Sequence, residues 1–137
     1  MRKNKPLILL VEDDHDLRKQ LAGYILDEET YDVVALADAN AAYTWLKDNP
    51  RPDAIVSDYI MDTIKGDALA ETALKVQIPF LMISGSEDLA QEELKKKGII
   101  VVLMPKPVDP SELCNRLDQL LGTKHKNQLP PKIKATA

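Results

Sequence analysis

The sequence predicts a doubly wound α/β fold, a five-stranded parallel sheet with helices on both faces. Three observations predict it. Short apolar runs rich in β-branched residues alternate five times with segments of helical periodicity. The first run, Leu7–Val11, is apolar at every position, as a strand buried on both faces must be. The chain is 137 residues long, the size of one domain with one core. Alternating strands and helices close most simply as a parallel sheet with right-handed crossovers.

The first strand covers residues 7–11, and the helix after it carries the stripe Leu17, Leu21, Tyr24 and Ile25. Residues 31–37 are β-branched and aromatic enough for the second strand. Asp38 can cap a helix that runs to about residue 48 and stops at Asn49-Pro50. Residues 54–57 form the third strand, and after a loop with Gly66 the stretch 67–76 reads as helix. Residues 79–83 are the fourth strand, 87–97 a helix stopped by Gly98, and 99–104 the fifth strand. Asp109-Pro110-Ser111-Glu112 is a capping box with Pro at the first helical position. The last helix, striped with Leu113, Leu117, Leu120 and Leu121, ends before Gly122. Residues 1–122 are thus the expected domain. Residues 123–137, with Pro130-Pro131 and little apolar periodicity, read as a flexible basic tail or linker.

Composition narrows the function classes. Hydrophobic residues make up 45% and charged residues 29%, as in ordinary globular proteins. One cysteine excludes an internal disulfide and a Cys-based zinc site, and fits a reducing compartment. No apolar run approaches the roughly 20 residues of a membrane span. The basic start is followed by too short an apolar run for a signal peptide, and then by acids. The expected location is cytoplasmic, without membrane attachment. Residues 1–121 hold all 22 acidic and 14 of the 18 basic side chains, a balance of −8, while the tail holds four Lys and no acid. Phosphates would be repelled by such a body, so no direct nucleic-acid binding is expected of it. The tail is read first as a solvated linker, with nucleic acid or an anionic membrane as the minor alternative. Whether it ends the natural protein or precedes an effector domain stays open.

Open parallel sheets bind ligands at the carboxyl ends of their strands. Glu12, Asp13 and Asp14 follow the first strand, Asp58 the third, Ser84-Gly85-Ser86 the fourth and Lys106-Pro107 the fifth. A parallel sheet gathers these into one crevice, although Asp13 and Asp58 are 45 positions apart. Three carboxylates at close range repel one another, and a hard divalent cation resolves the conflict. Carboxylate oxygens with water suit Mg²⁺, and Mn²⁺ can substitute. A carboxylate can also act as a nucleophile and form an aspartyl phosphate. Phosphoryl transfer then mainly needs positioning and neutralised charge on the equatorial oxygens. The metal, Lys106, and the Ser84 hydroxyl with nearby N–H groups would share that task.

At these positions Leu9-Leu10-Val11-Glu12-Asp13-Asp14, Ile55-Val56-Ser57-Asp58, Met82-Ile83-Ser84-Gly85 and Lys106-Pro107 resemble the four signatures of response regulator receiver domains of two-component signal transduction. The resemblance spans about residues 5–121. It implies the flavodoxin-like strand order 2-1-3-4-5 and a phosphoacceptor at Asp58. It implies Mg²⁺ held directly by Asp13, largely through water by Glu12, and also by Asp58 and the backbone carbonyl of Ile60. Ser84 and Lys106 would contact the phosphoryl group, and the Lys106–Pro107 peptide would be cis. Ser84 and Leu103 occupy the family's switch positions, and Ile60 and Ser86 those that tune dephosphorylation. The implied donor is a phosphohistidine on a sensor histidine kinase or a histidine phosphotransfer protein, as in a phosphorelay. Phosphorylation would alter the surface of the last strand and its flanking helices, for an effector the sequence does not name. Such a domain assists its own phosphorylation and dephosphorylation and is not a turnover enzyme.

The sequence departs from the family pattern at four places. Met61-Asp62 replaces the usual Met-Pro, Ser84 the commoner Thr, and Leu103 the switch aromatic, while the connection from Gly98 to Lys106 is about one residue longer. These departures motivate an alternative, a receiver-like interaction module that works without phosphorylation. A phosphohydrolase of the haloacid-dehalogenase type would carry a second Asp two past the nucleophile, where this chain has Ile60. Asp14 is better placed to cap the first helix than to bind metal, and His15 to lie exposed beside it. Cys114 is expected in the core, and Trp45 half-buried on the second helix. Lys95-Lys96-Lys97 suits a solvated helix end, with a docking role as the alternative.

Overall fold

The computed structural model describes residues 5–27, 29–58, 66–85, 87–98 and 101–122. Their elements are β1 (Leu7–Val11), α1 (His15–Asp27), β2 (Asp32–Leu36), α2 (Ala39–Asp48), β3 (Ala54–Asp58), α3 (Gly66–Lys75), β4 (Phe80–Ser84), α4 (Glu87–Lys96), β5 (Val102–Pro105) and α5 (Pro110–Leu121). The strands pair in parallel, in the order β2-β1-β3-β4-β5. The expected fold class and strand order are both found.

Alternation along each strand divides the core into two layers. Ile8 and Leu10 of β1, Val56 of β3, and Leu81 and Ile83 of β4 pack with Leu21 and Ile25 of α1 and Leu113 and Leu117 of α5. Leu9, Val11, Ile55, Phe80 and Met82 point to the other face, against Ala39 and Ala42 of α2, Leu69 and Ala73 of α3, and Leu94 of α4. The inner strands are therefore buried on both sides, which is why they read as unbroken apolar runs. Each such Leu or Ile contributes about 1.5–3 kcal/mol by burial. Trp45 is half-buried against the second layer, as expected.

Helix ends follow their local chemistry. Asp38 caps α2 by accepting the Ala41 N–H at 2.8 Å, and Asp14 caps α1 by accepting the Leu17 N–H at 3.1 Å. Asp109 accepts from Ser111 and Glu112 at the start of α5, and Gly122 closes it in the left-handed region at φ 68. The capping box is only half made. The Glu112 carboxylate bonds Arg116 Nε at 2.8 Å instead of returning to Asp109, because a guanidinium is the stronger donor.

Two strands are shorter than expected. β2 starts after Tyr31, whose ring is fully buried and whose hydroxyl donates to Asp118 Oδ1 on α5. Strand propensity marked Tyr31, but it serves the helical layer. β5 starts at Val102, where its ladder with β4 begins, and Ile99 and Ile100 lie outside the described residues.

Candidate functional site

Register brings the strand ends together. Val11 is opposite Ser57, so Glu12 and Asp58 emerge side by side one step later. Asp58 is opposite Ile83, and Ser84 is opposite Pro105. The Lys106 N–H then donates to the Ser84 carbonyl at 3.0 Å, which ties the start of the β5–α5 loop to the end of β4. The Lys106–Pro107 peptide is cis, as the resemblance implied.

The side chains meet in that crevice. Glu12, Asp13 and Asp58 each place a carboxylate oxygen within 4.8 Å of the others. Lys106 Nζ lies 3.1 Å from Asp58 Oδ1 and 4.0 Å from Glu12 Oε1. Glu12, Asp58 and Ser84 are buried, while Asp13 and Lys106 are half-buried. Among the described residues, the group is thus a cluster of three acids with the Lys106 ammonium paired to two of them.

The turn from β1 to α1 holds Glu12 on three sides. Its N–H donates to the Leu36 carbonyl at 3.0 Å, its carbonyl accepts from Arg18 Nη1 at 2.8 Å, and its Oε2 accepts the Asp14 N–H at 3.1 Å. Asp14 is occupied as the cap of α1 and takes no part in the acid cluster. Burial pushes the Glu12 carboxyl up to about 7. The charge of Asp58 and a hydrogen bond with Asp13 push the same way, while the Asp14 N–H and Lys106 pull it down.

The donor set fits a hard divalent cation. Glu12 Oε1 is buried without a hydrogen-bond partner, and Lys106 Nζ at 4.0 Å stands too far off to donate one, a costly state that a closely bound cation would relieve. Three clustered carboxylates are oxygen ligands of the kind Mg²⁺ and Mn²⁺ take.

Glu12, Asp13, Asp58 and Lys106 therefore converge, and Ser84 ends the adjacent strand. Ile60, Met61, Asp62 and Ser86 lie outside the described residues, as do His125 and the tail. Leu103 is half-buried against the second layer of the core. His15 is exposed, Cys114 is buried with a free thiol, and Lys95 and Lys96 are exposed at the end of α4. Two residues at the site escaped the sequence reading. Arg18 stands four positions after the cap Asp14, so its side chain points back to the turn. Ser57 is a fully buried polar residue in a strand apolar on both faces, and its hydroxyl donates to the Asp58 carbonyl at 3.0 Å. A polar residue in so apolar a run was the available signal.

Comparison with known proteins gives this arrangement its class. The sequence model of the response regulator receiver domain matches residues 8–118. The non-phosphorylated HemR receiver domain from Leptospira biflexa is 30% identical, covers 88% of this chain and 98% of its own, and superposes with a TM-score of 0.74. A chemotaxis protein from Vibrio cholerae is 25% identical over 85% of this chain and 98% of its own, with a TM-score of 0.73. A response regulator receiver protein from Sinorhizobium medicae shares the fold at a TM-score of 0.76, with 24% identity over 87% of this chain and 96% of its own. This chain belongs to the response regulator receiver domain family of two-component signalling. Among the described residues no helix is long and apolar enough to cross a membrane.

Proposed function

We propose that the chain is a phosphoacceptor switch: Asp58 takes a phosphoryl group, with Mg²⁺ as cofactor, from a phosphohistidine on a sensor histidine kinase or histidine phosphotransfer protein. The observation that carries this reading is the contact of Lys106 Nζ with Asp58 Oδ1 at 3.1 Å beside two further carboxylates. An Asp58 oxygen attacks phosphorus as the P–N bond to the donor imidazole breaks. Lys106 follows the incoming charge and pairs with a phosphoryl oxygen, and the Ser84 hydroxyl donates to another. Glu12, Asp13, Asp58 and the Ile60 carbonyl would hold Mg²⁺, which supplies neutralisation of phosphoryl charge when bound. The phosphate is later lost to water, so the domain is a switch and not a turnover enzyme. Residues 1–122 form the switch, in the cytoplasm, with 123–137 as a basic tail, and the acidic body contacts neither nucleic acid nor membrane. Its output is the surface of α4, β5 and α5.

Incubation with Mg²⁺ and a small phosphodonor, followed by intact-mass measurement, tests the assignment. Wild type is expected to gain one phosphoryl group and Asp58→Asn none; equal labelling of both overturns it.

One observation favours a second reading. Leu103, at the position that the family resemblance assigns to a switch aromatic, is packed against the core, which suits a module that binds its partner without phosphorylation. Equal partner binding by the modified and unmodified forms would favour that reading.

A further inference from the structure

We infer that Arg18 is a positioning residue for the cation site, acting through the main-chain carbonyl of Glu12; this rests on the phosphoacceptor reading. The Glu12–Asp13 peptide sets where both carboxylates point. Three of the four polar groups of Glu12 are held by the protein: its N–H by Leu36, its Oε2 by Asp14, and its carbonyl by Arg18. The fourth, Oε1, is the buried oxygen without a hydrogen-bond partner, and it faces Lys106 Nζ at 4.0 Å. Of the three bonds, two come from backbone N–H groups, which any residue but proline supplies. The third comes from the Arg18 side chain, so it is the one a mutation can remove. It also joins the site to α1, because the Arg18 backbone N–H closes that helix on the Asp14 carbonyl at 2.8 Å. One residue thus anchors the turn to the helix and orients its acidic peptide.

The sign of the effect separates positioning from charge. As a mere positive charge near three acids, Arg18 would oppose a cation, and its removal would tighten binding. As a positioning residue it favours the cation, and its removal weakens binding. Arg51 is an internal control. Its guanidinium also clamps main-chain carbonyls, those of Val76 and Gln77, at the end of α3.

The experiment is a Mn²⁺ titration of the full chain, with free Mn²⁺ read by electron paramagnetic resonance, beside thermal melts of the metal-free proteins. Arg18→Met is expected to weaken Mn²⁺ binding about tenfold, the scale of outer-sphere partners of metal sites. Arg51→Met is expected to lower the melting temperature and leave Mn²⁺ binding unchanged. Arg18→Lys keeps the charge and loses the planar fork, and is expected to bind about threefold more weakly. It decides the matter if Arg18→Met does not fold. Unchanged or tighter binding by the Arg18 variants, or equal weakening by Arg51→Met, overturns the inference. Wild type that binds no Mn²⁺ overturns the phosphoacceptor reading itself, which distinguishes the two failures.

Discussion

The hydroxyl of Tyr31 donates to Oδ1 of Asp118 across 87 positions of sequence, with both residues buried. This contact ties the start of β2 to α5 within the core layer that Tyr31 shares with α1 and α5. A buried carboxylate that loses a hydrogen bond costs about 1–3 kcal/mol. Tyr31→Phe is therefore expected to lower the unfolding free energy by that amount, read as a lower urea midpoint at unchanged denaturant slope, and the melting temperature by roughly 3–4 °C per kcal/mol. An unchanged midpoint would show that the contact contributes nothing net.

Lys106 carries the compensating charge beside Asp58. Lys106→Met is expected to slow phosphoryl uptake from a small donor by about 100-fold or more, on the scale of losing one donor to a developing oxyanion. Single-turnover labelling followed by mass measurement checks it. Uptake at the wild-type rate would remove Lys106 from the mechanism.

Glu12 gives the metal-free protein a pH-dependent stability. Its carboxyl is raised from 4.5 to about 7, so the folded state holds the proton more tightly than the unfolded chain does. That contribution is complete below about 4.5 and is lost as pH rises through about 7. Melts in the presence of a chelator should show the loss, and Glu12→Gln should flatten it. Mg²⁺ binds the ionised carboxylate, so its stabilising effect is expected to grow over the same window. At 100 times the dissociation constant it amounts to about 2.7 kcal/mol. A Mg²⁺ effect that shrinks with rising pH would contradict this assignment.

Ile60, two positions past the acceptor, offers no hydrogen bond to an attacking water. Self-dephosphorylation is expected to be slower in wild type than in Ile60→Asn. Decay of the phosphorylated mass peak after donor removal measures both rates, and equal or faster decay of wild type refutes the role.

Most of the architecture was readable from residue pattern. Leu7–Val11 and the runs leading to Asp58 and Ser84 are apolar because those strands are covered on both faces, so burial wrote itself into the sequence. Asp14, Asp38, Asp109 and Gly122 marked helix ends because the orphan groups there need particular side chains or a left-handed backbone. Asp118 was not readable. It stands four positions after the buried Cys114 on an apolar stripe, and nothing local announces its partner Tyr31. Arg18 and Ser57 were missed for a related reason, since each acts on a main-chain carbonyl and carbonyls leave no trace in sequence.

The sequence by itself determined which residues stand at strand ends, and hence which acids, hydroxyl and lysine are available. Only the tertiary structure decided how they meet. The neighbouring of β1 with β3 and the register of β3, β4 and β5 set Glu12 beside Asp58 and carried Lys106 to 3.1 Å from it. Periodicity records whether a side chain is buried, whereas a distance between residues far apart in the chain depends on how whole strands align. The Glu12 carboxyl at about 7 has that origin too, because burial and neighbouring charge come from other strands.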